Sequence, residues 1–537
     1  MNRLLPLLFL WLISGTLHAQ IIWGHQIGTE GMNNLEQHIV DKDGNIISVG
    51  HFEGTITIGS HKLTSLEGTD MFMYKANPAG QVLWAKALGG PQHGGAIGVA
   101  TDKFGNLYVG GVFINELLID GEVVLKGEGI WNTFIGKFDT NGKLLWSKGI
   151  LTKERYASAT LRGVITASPE GEVVLPVQFW GKVQLDSQLY DSQNPRGNDL
   201  LLVKLSATGQ VVWSYRSFHE GSVYPREVKL DVAGNVYLTG AYTGTFKMGQ
   251  LSIATLPESN DDIFVAKFDK QGRPLWLKGF NNTVGLLSNT GMSLEIDPKT
   301  KNIYLTGFFK GRVDFEGIVL EETGMVEFPG VPADIFLASL NENGAVIWAR
   351  SFGGEGHDLG WDLKLLPSGG IVMAGAWDFM PFVQYFDAAG NPGERINLNA
   401  GGVAENITLA GNGAFYISGQ YWGPLKAEHI SWNVRGETNG FLMKFDPCAA
   451  KNSMSGSAYR TYNIITPNGD EKNEYFVLDP ALKGAKLQVY NRWGSKVYES
   501  SHYNNDWNGN GLPEAVYHWV VSHDCSGTLK GTVTIIR

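Results

Sequence analysis

One two-hairpin pattern repeats along most of this chain, and its last copy lacks an outer strand that the N-terminal residues supply. The pattern is plainest at Thr101–Phe113 (TDKFGNLYVGGVF) with Thr133–Trp146 (TFIGKFDTNGKLLW). It returns at Asp231–Tyr242 (DVAGNVYLTGAY) with Asp262–Trp276 (DIFVAKFDKQGRPLW). Each copy reads as four strands: one ending on Asp, one opening Gly-Asn, one reading Phe-x-x-Lys-Phe-Asp and one carrying Trp. Trp23, Trp84, Trp146, Trp213, Trp276 and Trp348 mark the fourth strand, and Ile396 takes that place in a shortened copy. The seventh copy stops at Gly440–Asp446 (GFLMKFD), and its missing strand is Ile21–Trp23 (IIW). An array whose last unit borrows its edge from the first residues closes into a ring. A ring of small antiparallel sheets is a β-propeller. The expected fold is all-β: a seven-bladed β-propeller over residues 20–447, closed by its N-terminal strand.

The 537 residues exceed one ordinary core, so a further domain is expected. Sixty-nine glycines, 11% aromatic and 18% charged residues suit short strands and tight turns, not disorder. The net charge is −10 with no Lys/Arg run to neutralise phosphates, so no nucleic-acid partner is expected. Residues 1–19 place one Arg before an apolar run from Leu4 to Ile13, which reads as a signal peptide. No other long apolar stretch exists, so no transmembrane segment is expected. The destination is secretion or attachment to the outer cell surface. The two cysteines, Cys448 and Cys525, are either bridged in the oxidising exterior or free.

The Asp-x-x-Gly-Asn turns, as at Asp41–Asn45, admit a calcium reading. A calcium loop needs six to eight oxygens and usually a bidentate Glu, and no such Glu follows. Asp and Asn also bond their own turn backbone, which is the preferred reading. One Trp per copy wedges neighbouring sheets together. The Phe138–Trp146 and Phe268–Trp276 segments are similar to the docking repeat of pyrroloquinoline-quinone dehydrogenases. Those enzymes have eight blades and adjacent cysteines, which this chain lacks, so no cofactor is expected. With Gly353–Asp358 (GGEGHD) added, the repeat resembles a bacterial β-propeller repeat family over about Ile21–Pro447. That resemblance implies the fold and no single activity.

After a small, polar linker at 448–461 the pattern changes. Residues 462–537 alternate apolar and polar residues between Gly/Asn turns, as in a small Ig-like β-sandwich. Pro467-Asn468-Gly469-Asp470, then Asn491-Arg492-Trp493-Gly494, then NNDWNGNG and a terminal GTVTIIR form a specific order of motifs. This order resembles the gliding-motility-associated C-terminal domain, the type B sorting signal of type IX secretion in Bacteroidota. Glu471 and Glu474 depart from its usual residues. The resemblance implies the type IX machinery as a partner and export across the outer membrane. Asn468, Asp470, Asn473 and Glu474 could gather around calcium, or equally satisfy a turn. Arg492 and Trp493 could stack as a cation–π pair.

No histidine-metal, nucleophile-elbow, phosphate-loop or paired-cysteine motif is present, so neither catalytic nor metal residues are assigned. Candidate ligand residues sit in the blade-to-blade loops: His93, Arg155, Tyr156, His219, Glu220, His357 and Asp358. Strand order puts these on one face with the variable connections 54–70, 113–132, 181–199, 244–262 and 311–334, opposite the uniform turns. Recognition is built on variable loops over a rigid ring. The function read from the sequence is an exported surface or secreted protein for binding or adhesion, with a glycan or surface protein as ligand. The alternative is a secreted propeller enzyme acting on polysaccharide, a lyase or hydrolase, which would gather acids, a base or metal ligands in one channel mouth. A structural protein without a small ligand is a third class.

Overall fold

Short runs of β-branched and aromatic residues, punctuated by Asx-Gly turns, fold each copy into an antiparallel meander. The computed structural model describes residues 20–28, 31–192, 194, 197–256, 260–283, 287–323, 332–410, 413–446, 463–470, 472–478, 482, 485–500, 503–523 and 527–537. The segments expected as signal peptide and linker, and both cysteines, lie outside them. The described residues contain no α-helix.

The first meander runs Asn33–Val40, Ile46–Ile58, His61–Ala76, Val82–Gly89. The second runs Gly94–Thr101, Leu107–Phe113, Asn132–Phe138, Leu144–Thr152. Further meanders open at Ser158–Leu161, Val223–Leu230, Thr290–Ile296 and Leu359–Leu365. The last uses Asn399–Leu409, Phe415–Ala427 and Asn439–Asp446, and its fourth strand is Gln20–Ile27. Ile21 faces Phe445 and Gln26 faces Phe441 in an antiparallel register. The two ends of the chain therefore share one sheet. Numbering units by their first strands gives seven such units among the described residues.

The variable connections carry structure that the four-strand reading left as loops. Glu116–Ile119 with Glu122–Lys126, Lys182–Leu185 with Gln188–Asp191, Thr245–Met248 with Leu251–Ala254, and Arg312–Phe315 with Ile318–Glu321 are tight hairpins. Several reach back to the preceding unit. Lys86 pairs Asp120 at 3.0 Å, Lys148 pairs Asp186 and Lys278 pairs Glu316, each at 2.5 Å.

No unit owns its core. One buried cluster takes Ile263, Val265 and Phe280 from the fourth unit and Leu305, Phe309 and Phe336 from the fifth. The outer-strand Trp seals this junction. Trp146 Nε1 donates to the Ala207 carbonyl at 3.1 Å, and Lys137 Nζ donates to the same oxygen at 3.2 Å. Trp276 and Lys267 share the Glu342 carbonyl, Trp84 and Lys75 that of Thr140. Trp23 and Lys444, from opposite ends of the chain, share that of Pro78 at 3.1 and 3.0 Å. Each such carbonyl lies in the uniform turn of the next unit. In the turn beneath Trp213, Gly272 has φ +79°, and a Cβ there would meet the indole at 2.6 Å. Gly80 makes the same seat for Trp23.

The turn carboxylates serve the backbone, as the turn reading expects. Asp41 Oδ1 accepts the Asp43 and Asn45 N–H groups at 2.9 Å, and Oδ2 pairs with Lys75 at 2.8 Å.

The C-terminal residues form one five-stranded sheet, in which Ile464–Ile465 runs parallel to Gly527–Ile535. Phe476, Tyr503 and Trp507 cover its Leu487, Trp519 and Val533 face. The Phe476 N–H donates to the Trp507 carbonyl at 2.8 Å.

Trp23→Ala should lower stability by about 2–3 kcal/mol, from a lost aromatic wedge and one hydrogen bond. Trp493→Ala, at a residue 77% exposed, should change it by less than about 0.5 kcal/mol. Deleting Gln20–Ile27 should leave a sheet edge open and cause aggregation. Scanning fluorimetry and size-exclusion chromatography read these outcomes; equal melting of the deleted and full chains would refute closure.

Candidate functional site

The first strands are interrupted at one equivalent place. Register shifts fall at Leu35/Gln37, Ala96/Gly98, Pro225/Glu227, Gly291/Ser293, Gly360/Asp362 and Ala404/Asn406. In the third unit the strand breaks between Leu161 and Thr166. A β-bulge re-aims the extra residue and sharpens the local twist. The extra residues are Glu36, Ile97, Arg226, Met292, Trp361 and Glu405. Together with Arg162 and Val164 from the third unit they line one cavity of about 110 Å³. All seven units thus meet around a common space.

At five of the six bulges the residue that follows holds the next unit. The Val99 N–H donates to Gln37 Oε1 at 2.6 Å, and the Leu294 N–H to Glu227 Oε2 at 2.8 Å. Asp362 Oδ2 accepts from the Ile407 N–H at 2.9 Å. Asn406 Oδ1 accepts from the His38 N–H at 3.2 Å, which carries the belt across the closure.

Nearer the uniform turns the space is filled by ions. Lys229 pairs Glu227 and Glu295, both at 3.0 Å, and Lys364 pairs Glu295 at 3.3 Å and Asp362 at 2.7 Å. Burial opposes the Lys229 charge, but Glu227, Glu295 and Asp362 outweigh it and raise its pKa. Burial likewise opposes the Asp362 charge, and Lys364 and Lys229 overcome it, so its pKa falls. His38 is pushed down to about 3 by burial and stays neutral. Its Nε2 lies 3.2 Å from the Tyr416 carbonyl, so Nε2 carries the proton and Nδ1 accepts from the Ser418 hydroxyl at 2.7 Å.

Nearer the hairpin loops the chemistry differs. Glu405 is pushed up to about 8, by burial first and then by the Glu36 charge, against hydrogen bonds from Gln420 and Asn34. Glu36 lies 3.2 Å from His51 Nδ1. Arg226 is held below its ordinary value by burial and by Arg162, with Asp261 opposing. Its Nε is buried without a hydrogen-bond partner among the described residues.

The loop residues expected as ligand contacts are distributed around the ring. His93, between units one and two, takes the Thr69 N–H on Nδ1 at 3.3 Å. Arg155 lies 5.6 Å over the exposed Tyr156 ring between units two and three. His219 and Glu220 follow unit three, where the His219 backbone pairs with Phe246 and Glu220 reaches Lys247 at 4.0 Å. Between units five and six, His357 packs 5.0 Å from Phe379. The buried Asp358 accepts the Gly354 and Asp378 N–H groups at 2.7 and 2.8 Å. His93 and Asp358 thereby hold loops in shape.

In the sorting-motif region, Glu474 Oε1 accepts the Gly469 and Asp470 N–H groups at 2.6 and 2.9 Å. Asn468 Oδ1 accepts the Asp470 N–H at 3.1 Å, and Asp470 Oδ1 that of Lys472 at 2.8 Å. Asn473 adopts φ 52° and offers its carbonyl to Thr466. Asn491 Oδ1 accepts the Trp493 and Ser495 N–H groups at 3.0 Å, and Gly494 has φ 80°. Arg492 lies 4.8 Å over the Trp493 ring, the stacking expected from sequence.

Residues 459–535 match the CHU_C type IX secretion signal domain, so the chain carries an export signal at its C-terminus. An uncharacterized WD repeat-containing protein of Acanthamoeba polyphaga mimivirus is 23% identical in an alignment 328 residues long that covers 51% of this chain. The chain spans only 23% of that relative's length. Solved structures similar to it include a polysaccharide lyase, with TM-score 0.41 and 11% identity over 77% of this chain and 90% of that one. A WD40 domain from Neurospora crassa matches with TM-score 0.37 and 10% identity over 77% and 89%.

The Glu405 shift has a sign. Its folded value of about 8 lies above the ordinary 4.5, so the folded state holds a proton that the unfolded chain has released. Its contribution to stability is full below pH 4.5 and is lost as pH rises toward 8. Melting temperature should fall across this window, and Glu405→Gln should flatten the fall. An unchanged slope in thermal melts would exclude Glu405 as its source.

Proposed function

We propose that this chain is an exported seven-bladed β-propeller that binds a glycan on its hairpin face and at the channel mouth beneath it. Delivery is by type IX secretion, and the C-terminal sorting domain is an Ig-like sandwich whose second layer is the loop cover over the sheet. One observation carries the binding reading. Exposed aromatics gather at the hairpin ends of the units: Tyr156, Trp180, Phe218, Phe379 and Trp422. The uniform-turn ends present Phe104. Exposed rings cost solvation unless something covers them, and flat rings match the apolar faces of sugars.

Tyr156→Ala with Phe218→Ala, and separately Trp422→Ala, should weaken retention on a glycan array, while Phe104→Ala should not. Loss confined to Phe104→Ala would reverse the face assignment. Removing residues 462–537 should leave a folded propeller in the periplasm, read by fractionation and protease accessibility. Normal surface delivery of that truncation would defeat the export reading.

A second reading, an enzyme acting on polysaccharide, draws on the Glu405–Glu36 carboxylates in the channel. It requires polysaccharide turnover that Glu405→Gln abolishes without loss of binding.

A further inference from the structure

The channel holds a pair of cations that the fold does not use. Arg162 and Arg226 come from adjacent units at the one place where a first strand breaks instead of bulging. The Val164 N–H donates to the Arg226 carbonyl at 3.0 Å, which locks the two segments together. Burial first, and then the nearby Arg162 guanidinium, disfavour the Arg226 charge. Like charges brought together inside a fold cost stability unless an anion offsets them. Arg226 Nε is a buried donor without an acceptor, which carries a desolvation penalty of its own.

The lysines of the channel are matched. Lys229 and Lys364 face Glu227, Glu295 and Asp362. Glu405 holds its proton near neutrality, and Glu36 sits against His51. Asp261, whose charge favours the Arg226 cation, and Ser288, which hydrogen-bonds Asp261, belong to loops on the hairpin face. The arginine pair therefore opens toward the face that bears the exposed aromatics. Size limits what enters: about 110 Å³ is well below the roughly 300–1,000 Å³ of a pocket for a whole organic ligand. It suits one charged substituent and a few waters. Trp361, on the cavity wall, offers an aromatic surface beside it.

Resting on the glycan reading above, we propose that Arg162 and Arg226 form an anion subsite at the channel mouth that takes the carboxylate of an acidic polysaccharide, with Trp361 against the sugar ring. A planar guanidinium presents parallel N–H donors that match a carboxylate fork, which a lysine does not. The polymer lies across the hairpin face, and only its charged substituent descends between the units.

The test is calorimetric titration of the full chain with a short oligogalacturonate, a neutral oligosaccharide of equal length, a sulfated oligosaccharide and an acidic peptide. The expected result is binding of the uronate, weakened by salt, with little binding of the neutral chain. Arg226→Gln should weaken uronate binding by roughly 30-fold or more, from removing one partner of a desolvated charge pair. The exposed Arg162→Gln, whose melting temperature should match the parent, keeps the test valid if Arg226→Gln misfolds. Preference for the sulfated chain, lost in both variants, supports the subsite and changes the anion it takes. Equal affinity for neutral and acidic chains, or uronate binding unchanged in Arg162→Gln, overturns the subsite and leaves the glycan reading standing. Binding of the acidic peptide alone, or of none of the probes, overturns both.

Discussion

The ring depends most on one small contact, made at four of its junctions: an indole N–H and a lysine ammonium converging on a single carbonyl of the next unit's turn. The neutral bond contributes about 1 kcal/mol and the charge-assisted one more. Its larger effect is placement. The Trp ring must lie flat over the turn to reach the oxygen, and it can do so only where the turn has no Cβ. This is why Phe-x-x-Lys-Phe-Asp, Gly and Trp recur as one block: residues of one unit and the turn of the next are two halves of one joint. The apolar clusters lie between units, so a meander alone is a small sheet without a core. Where the third strand carries Ser339 instead of Lys, Arg350 beside Trp348 donates to the Ala389 carbonyl at 3.0 Å and the joint persists.

The same circular arrangement explains the channel. Seven first strands crowd one axis, and a bulge in six of them turns an extra side chain into the space. In five of the six a polar residue follows and accepts a backbone N–H of the neighbour, so carboxylates and amides become structural members of the inner ring. Buried ions of this kind are costly to form and costlier to break singly. They close the channel toward the uniform turns and leave the arginines toward the hairpins, which gives the ring two chemically unlike ends.

Much of this was legible in the residues. The Trp spacing and the orphan third strand at Gly440–Asp446 called for a partner, and Ile21–Trp23 was the segment of matching kind; the register bears this out. Ile396 also makes sense in retrospect. The turn on which a Trp there would rest does not exist, because the last unit's third and fourth strands come from opposite ends of the chain. The channel was less legible. Its ions are scattered, three in PREVK at 225–229, two in WDLK at 361–364 and none in GGAIGVAT at 94–101, and only superposing the copies shows that they share a position. A bulge breaks the period-two pattern where it matters, so alternation alone assigns these residues to the wrong side. The extra hairpins were readable from Ile-Asp-Gly-Glu at 119–122 and Phe-Glu-Gly-Ile at 315–318, where Asp120 and Glu316 take positive φ before glycine.

The closure also sets an order in time. Gln20 pairs with Asp446, so the first strand must wait for nearly the whole repeat array before its own hydrogen bonds can form. Contacts of such sequence separation form late and slowly. During that interval the edge of the Asn439–Asp446 strand is bare, and any similar strand can occupy it. The first eight described residues thus act as a latch that is set last, on the strand it fastens.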